Sequence, residues 1–489
     1  MPVRKIADGH FHDLKWGEQL DTSALEAVTS KARSGALKRS LRIFGTLLLT
    51  LSAVTPASSV FVIVPGVITQ AGTGAFWAMV LGALLSVPTA YVYSELSSAF
   101  PIAGGEYCMV GRTVGLDAGI AIMWLNAFSS LLTPAAFALG ASVFIGVVIP
   151  GLNTTALAIG IILVTTILGI LHIRTNAWVT GLFLLVELLA LIAITALGFW
   201  NIKRPLLEIA AHPVWLNGGA LQTTPLAIIG LATSVAIFAY NGYGSAVYFA
   251  EEMHEVRTAV AKTILWALII TVVTELVPVT AVLMSAPDLK AFFVSQNPFS
   301  DFVLATGGQY FNAAISVGVA LAIINAVLAT VLQNARFFYR TGHDRTWHSS
   351  INNAFTITHP RFHSPWMATL IAGLVSVALC FLGLNLILML TGTGIVIVYI
   401  GVCLAAIFGR RSGTSDAAIY KMPLYPLWPV IGLAALAYVL YTSALDPMLG
   451  RPSLLINGAI AILSILYYRL LLGRRRAWVL SEPDERETY

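Results

Sequence analysis

Two short stretches put helix-breaking and polar residues in the middle of long apolar runs. The first is Thr55-Pro56-Ala57-Ser58-Ser59, inside the run 49–61. Pro56 has no backbone N–H to donate, and its ring clashes with the preceding turn. The second is Phe238-Ala239-Tyr240-Asn241-Gly242-Tyr243-Gly244-Ser245. Glycine in a helix costs about 1 kcal/mol relative to alanine, and Gly242 and Gly244 stand two residues apart. A helix broken inside a bilayer frees amides at the start of one half and carbonyls at the end of the other. Such backbone is tolerated only where protein or a water-filled cavity satisfies it. The amides suit a carboxylate and the carbonyls suit an ammonium group. Taken alone, the first stretch reads as a proline kink. A second interruption five helices later shifts that balance, because an inverted repeat of five plus five helices places breaks in corresponding positions.

Glu187 is the third feature, an acid in the middle of an apolar run. A carboxylate at bilayer centre costs about 2.5–3.5 kcal/mol on insertion scales, so it is expected to face the bundle interior. It is either a proton-coupling group, taking up and releasing a proton as its surroundings open and close, or an acid that hydrogen-bonds a neighbouring helix. Glu275 is a second acid of this kind, placed by the sequence nearer the outer face, where it would reach water.

The elements that must hold these residues follow from composition. Hydrophobic residues make up 57% of the 489 and charged residues 10%, against about 25% charged in a soluble domain. Most of the surface must therefore face lipid. A spanning helix needs about 20 mostly apolar residues. About twelve runs meet that need, at 43–69, 74–99, 117–149, 154–171, 176–199, 224–250, 259–285, 309–339, 366–384, 386–408, 425–444 and 453–472. A short helix is expected near residues 288–294. The chain divides into a cytoplasmic tail 1–42, a ten-helix core 43–408, two further helices in 409–472 and a cytoplasmic tail 473–489. The opening forty residues have no apolar core of a signal peptide.

Lysine and arginine set the orientation. With the N-terminus inside, only Lys203, Arg204, Lys290 and Arg451 of the 28 fall outside. Both termini are thus expected in the cytoplasm. The net charge of +5 comes from short loops between apolar runs, which argues for a lipid bilayer as partner and against nucleic acid. Cys108, Cys380 and Cys403 have no metal-ligand or redox spacing. His343, His348, His359 and His363 lack the spacing of a metal helix motif, so no metal and no cofactor is expected.

Several segments together resemble the amino acid–polyamine–organocation superfamily of transporters. Phe100-Pro101-Ile102-Ala103-Gly104-Gly105-Glu106-Tyr107 is similar to that family's loop after helix two. Tyr240-Asn241-Gly242-Tyr243-Gly244 followed by Glu251-Glu252-Met253 is similar to its broken helix six and acidic exit, and Arg336 with Tyr339 to its signature at the end of helix eight. The resemblance implies an all-α membrane protein with broken helices one and six and helices eleven and twelve appended to the repeat. It implies a substrate site of Thr55, Pro56, Ala57, Ser58 and Ser59 with Phe238, Ala239, Tyr240, Asn241 and Gly242. The amides of residues 57–59 would meet a substrate carboxylate. The carbonyls of residues 238–240 would meet its ammonium group, with Tyr240 or Phe238 closing the pocket from outside. The sequence departs from the family in helix one, where a Gly-Ser-Gly type of break is usual. The family's proton-coupled members place a lysine near the position of Glu187.

Glu251, Glu252, Glu255 and Arg257 are either a solvated helix end or an inner gate bonded to the loop near Glu106 or Arg112. Paired hydroxyls for sodium are missing from helix eight where it would face the first break: Ala320 to Ala329 offers only Asn325, and Thr330 is the nearest hydroxyl. No phosphate-binding glycine loop suggests ATP. The reading that emerges is a secondary transporter for a neutral amino acid, proton-coupled, with exchange or polyamine carriage as alternatives. A membrane-embedded enzyme is the different-class alternative, and it would gather a nucleophile or metal set that the acidic cluster lacks.

Overall fold

Apolar runs in a chain that must satisfy its own backbone become helices, and the computed structural model is nearly all helix. It describes residues 39–149, 151–445, 447, 450–472, 478 and 480. The tails expected at 1–42 and 473–489 therefore lie almost wholly outside the described residues.

The first apolar run forms α1 (Ile43–Val54), a three-residue turn α2 (Pro56–Ser58), a π-helical segment Ser59–Ile63 and α3 (Val64–Ala71). The chain reverses at Gly72–Gly74 into α4 (Ala75–Ala99). Gly72 has φ 59°, and a Cβ there would meet the Val214 carbonyl oxygen at 2.1 Å, so the turn needs glycine. Next come α5 (Glu106–Thr113), α6 (Leu116–Val148), α7 (Thr154–Gly169), α8 (Ile173–Trp200) and α9 (Leu206–Ala211). The second broken run is α10 (Leu226–Ala239) followed by a 3-10 helix Tyr243–Glu252. It leads into α11 (Val256–Ser285), α12 (Leu289–Val294) and α13 (Pro298–His343). The remaining helices are α14 (Ser349–Phe355), α15 (Trp366–Leu379), α16 (Leu384–Ser412), α17 (Leu427–Leu445) and α18 (Gly450–Tyr467).

Among the described residues, nine helical stretches are long and apolar enough to cross a membrane, and two shorter apolar helices, Thr154–Gly169 and Trp366–Leu382, accompany them. One of the nine, Ile43–Ala99, contains the reversal at Gly72. Trp200, Leu226, Ile167 and Leu463 are among many large apolar side chains left exposed, a surface suited to lipid rather than water.

The structure differs from the sequence reading in three places. The run expected to begin at 309 starts at Pro298, with Gly308 (φ 81°, ψ 175°) as a non-helical joint. The division expected at 384–386 falls at Gly383, whose φ is 80°. The loop 200–223 holds a β-hairpin, β1 (Val214–Asn217) paired antiparallel with β2 (Ala220–Thr223). Gly218 and Gly219 both have positive φ, which a two-residue type I′ turn requires.

Candidate functional site

The two breaks meet. Thr55 ends α1 in the left-handed region, at φ 49° and ψ 74°. Pro56 then offers no N–H to the helix, and the Ala57 N–H donates to Glu187 Oε1 at 2.7 Å. The Thr55 hydroxyl donates to the same oxygen at 3.2 Å. A β-branched residue at positive φ costs on the order of 1–3 kcal/mol, and Glu187 supplies bonds that hold it there. In the second break, Gly242 adopts φ 114°, and a Cβ would lie 3.1 Å from the Val54 Cα. Glycine thus lets this backbone rest against the end of α1. Asn241 Oδ1 accepts the Gly242 N–H at 2.7 Å and the Tyr399 hydroxyl. The Ser59 hydroxyl donates to the Ala239 carbonyl at 2.9 Å, tying one break to the other.

A cavity of about 180 Å³ sits at this junction. Of the ten residues the sequence places at the site, Thr55, Ser58, Ser59, Phe238, Ala239, Asn241 and Gly242 line it. Pro56, Ala57 and Tyr240 do not. Thr133 from α6, Thr330 and Gln333 from α13, and Thr391 from α16 supply further polar groups. Sequence reasoning missed Thr133, Gln333 and Thr391; the signal available was a polar residue inside an apolar helix. No charged side chain lines this cavity among the described residues. A neighbouring hollow of about 110 Å³ shares Thr133, Asn241, Gly242 and Gln333 with it and adds Glu106, Asn126 and Tyr248.

Glu187 is fully buried and lies behind the first break, bonded to it rather than exposed in the cavity. Its Oε2 makes no hydrogen bond. The Ala57 amide, expected to meet a substrate carboxylate, is therefore already occupied by this carboxyl. Glu275 corrects the sequence reading outright: it is 0% exposed, because α11 runs through the bundle interior at this level. Neither of its oxygens is hydrogen-bonded. It lies beside Ser59 and within electrostatic reach of Glu187 and of Tyr240. The Tyr240 hydroxyl is buried without a hydrogen-bond partner, and of the two rings expected to close the cavity, Phe238 lines it and Tyr240 does not. Asn325 donates to the Ser52 hydroxyl at 2.9 Å and to the Thr180 carbonyl at 3.1 Å, which joins α13 to α1 and α8.

The acidic exit of the second broken helix is bound up in ion pairs. Glu252 pairs with Arg336 through two bonds of 2.7 and 3.2 Å, and both side chains are buried. Glu251 accepts from Arg340 at 3.0 Å and from the Ala103 amide at 3.2 Å. Asp344 lies 3.4 Å from Arg340 and accepts the Tyr107 hydroxyl at 2.7 Å. Glu251 thus reaches the loop near Glu106 at the Ala103 amide, and Asp344 reaches the end of that segment at Tyr107. Glu106 instead accepts from Tyr248 at 2.5 Å, Asn126 at 2.9 Å and Tyr93 at 3.0 Å. Burial pushes its carboxyl up from its ordinary value, and these bonds pull it part of the way back. Arg112 stands over the Phe100 ring and reaches the Leu480 carbonyl. A further pair, unforeseen from the sequence, joins Glu95 of α4 to Arg410 of α16 through two bonds of 2.6 Å.

Comparison with known proteins gives a consistent picture. A family model described as amino acid permease matches residues 41–466. The methylthioribose transporter of Bacillus subtilis (strain 168) is 22% identical, over 86% of this chain and 91% of that protein. The branched-chain amino acid permease BcaP of Lactococcus lactis subsp. cremoris (strain MG1363) is 24% identical, over 79% and 85%. The serine/threonine exchanger SteT of Bacillus subtilis (strain 168) is 22% identical, over 83% and 91%.

Proposed function

The chain belongs to the amino acid permease family, within the amino acid–polyamine–organocation superfamily, and from that membership we propose that it carries a neutral amino acid across the cytoplasmic membrane by alternating access. The observation that carries this reading is the meeting of two broken helices at a small cavity without charged walls. A zwitterion brings both charges itself. Its carboxylate would lie toward the start of the second half-helix at Ser58, and its ammonium group toward the carbonyl ends of α1 and α10, where a helix leaves its last carbonyls without intrahelical partners.

In this proposal twelve helices cross the membrane. The reversal at Gly72 divides the first long stretch in two, and the two shorter apolar helices also cross. The first ten form two inverted repeats, and both termini lie in the cytoplasm, as the lysine and arginine distribution favours. Glu187 carries the coupled proton. Its carboxyl joins α8 to both sides of the first break, so a change in its charge acts directly on the geometry at Thr55 and Ala57. Glu251 and Glu252, paired with Arg340 and Arg336, close the inner side, and Glu106 stands between that closure and the cavity.

A second reading, carriage of an amine or polyamine, has one observation in its favour: Glu187 itself takes the Ala57 amide, which reduces what remains for a substrate carboxylate. The deciding experiment is uptake of radiolabelled amino acids, putrescine and methylthioribose, each assayed separately in proteoliposomes with and without an inward proton gradient. Saturable, gradient-driven uptake of a neutral amino acid is expected. Saturable uptake of putrescine alone would establish the second reading, and no saturable uptake or exchange of any of these solutes would sink the proposal.

A further inference from the structure

At the end of α1 away from the break, a groove of about 740 Å³ opens between the start of α1 and the start of α8. Arg39, Arg42, His172 and His254 line it, and no acidic side chain does so among the described residues. Arg42 and His254 are exposed. The Ser40 hydroxyl oxygen, also in the wall, is buried and makes no hydrogen bond. The outer wall has a different character. Phe44 is 62% exposed and Trp178 is 65% exposed, and both belong to helices apolar enough to cross a membrane.

Cationic groups and an unused hydroxyl therefore stand directly beside lipid-facing aromatic rings. A basic recess at the membrane surface attracts anionic headgroups. A guanidinium matches the oxygens of a phosphate in a two-bond fork, and tryptophan favours the depth at which headgroup and acyl chain meet. An ion in water would use the first half of this arrangement only. An anionic phospholipid uses both. We propose that the groove binds the headgroup phosphate of an anionic phospholipid at Arg39, Ser40 and Arg42, with the acyl chains lying against Phe44 and Trp178.

The position gives the site a consequence. The Ser40 and Leu41 amides both donate to the Glu252 carbonyl at 2.9 Å, and the His254 amide donates to the Leu41 carbonyl at 2.9 Å. The floor of the groove is thus the backbone joint between the start of α1 and the acidic exit of the second broken helix. A lipid held there bridges α1 to α8 across the joint and steadies it.

The test uses the purified full chain in detergent, with native mass spectrometry to count retained lipid and thermal unfolding to read its effect. Phosphatidylglycerol, phosphatidylcholine and inorganic phosphate are added separately. Phosphatidylglycerol is expected to be retained and to raise the melting temperature, and the other two are not. At about 1 kcal/mol for each basic residue near the surface, Arg39→Gln with Arg42→Gln should weaken retention roughly 30-fold. Arg42→Gln with His254→Gln serves as the second variant should the first fail to fold, and it too should lose retention. Equal retention of phosphatidylcholine, undiminished phosphatidylglycerol binding in the folded variants, or an equal stabilisation by inorganic phosphate would each overturn the proposal. None of these outcomes bears on which solute is carried.

Discussion

Glu187→Ala and Glu187→Gln remove different things from the break at Thr55. Alanine takes away the acceptor of two hydrogen bonds, from the Ala57 amide at 2.7 Å and from the Thr55 hydroxyl at 3.2 Å. A bond between neutral groups contributes about 1 kcal/mol. The loss is then about 2 kcal/mol, and it falls on a residue already held at positive φ. Glutamine keeps an oxygen acceptor of the same reach and removes only the ability to exchange a proton, so its expected cost stays below about 1 kcal/mol. Thermal unfolding of the purified protein reads the first effect, and proteoliposome uptake reads the second. The glutamine variant should fold, should exchange solute across the membrane, and should no longer accumulate solute when a proton gradient is applied. The alanine variant should unfold at lower temperature and lose exchange as well. Gradient-driven accumulation by Glu187→Gln would remove Glu187 from the proton pathway. Equal stability of the two variants would show that the bonds to Ala57 and Thr55 do not hold the break.

Three further outcomes follow from the geometry. Gly242→Ala puts a side chain at φ 114° and 3.1 Å from the Val54 Cα; strain of about 1–3 kcal/mol at the cavity wall should weaken solute binding about tenfold or more, and unchanged affinity by calorimetry would contradict the contact between the breaks. Arg336→Met leaves the buried Glu252 carboxylate without its partner and should destabilise by about 3–5 kcal/mol, with Glu252→Met in the same chain restoring most of it; denaturant unfolding measures both, and a double variant no better than the single one would argue against the pair. Because burial raises the Glu106 carboxyl above its ordinary value of 4.5, the folded chain binds this proton more tightly than the unfolded chain. Its contribution to stability is full below the ordinary value and is lost as pH rises through the raised one. Melting temperatures across roughly pH 4 to 8 should therefore fall less in Glu106→Gln than in the parent, and parallel curves would refute this assignment.

Much of the architecture was legible because lipid leaves the backbone few choices. Apolar runs such as 259–285 had to be helices, and the helix Val256–Ser285 differs from that run by a few residues at its start. The short helix expected near 288–294 begins where Asp288 accepts two amides at its N-terminus. The hairpin at 214–223 went unread: Gly218 and Gly219 carry its turn, but the segment reads only as a connection between apolar runs. Glu275 was misplaced because hydropathy gives distance along a helix and says nothing of which side faces the bundle.

The sequence by itself determined that the chain is a helical membrane protein with two interrupted helices, since composition and the positions of Pro56, Gly242 and Gly244 are local properties. It also located Glu187 as an acid that must face inward. Only the tertiary structure decided that this acid bonds the Ala57 amide and that Phe238 rather than Tyr240 lines the cavity. It alone brought Thr133 and Gln333 to the cavity wall and paired the acidic exit with Arg336 and Arg340. The reason is physical. The Glu187–Ala57 bond joins residues 130 positions apart, and a hydrogen bond acts over about 3 Å. Helical periodicity tells each residue its own face but carries no record of the partner that packing brings to it.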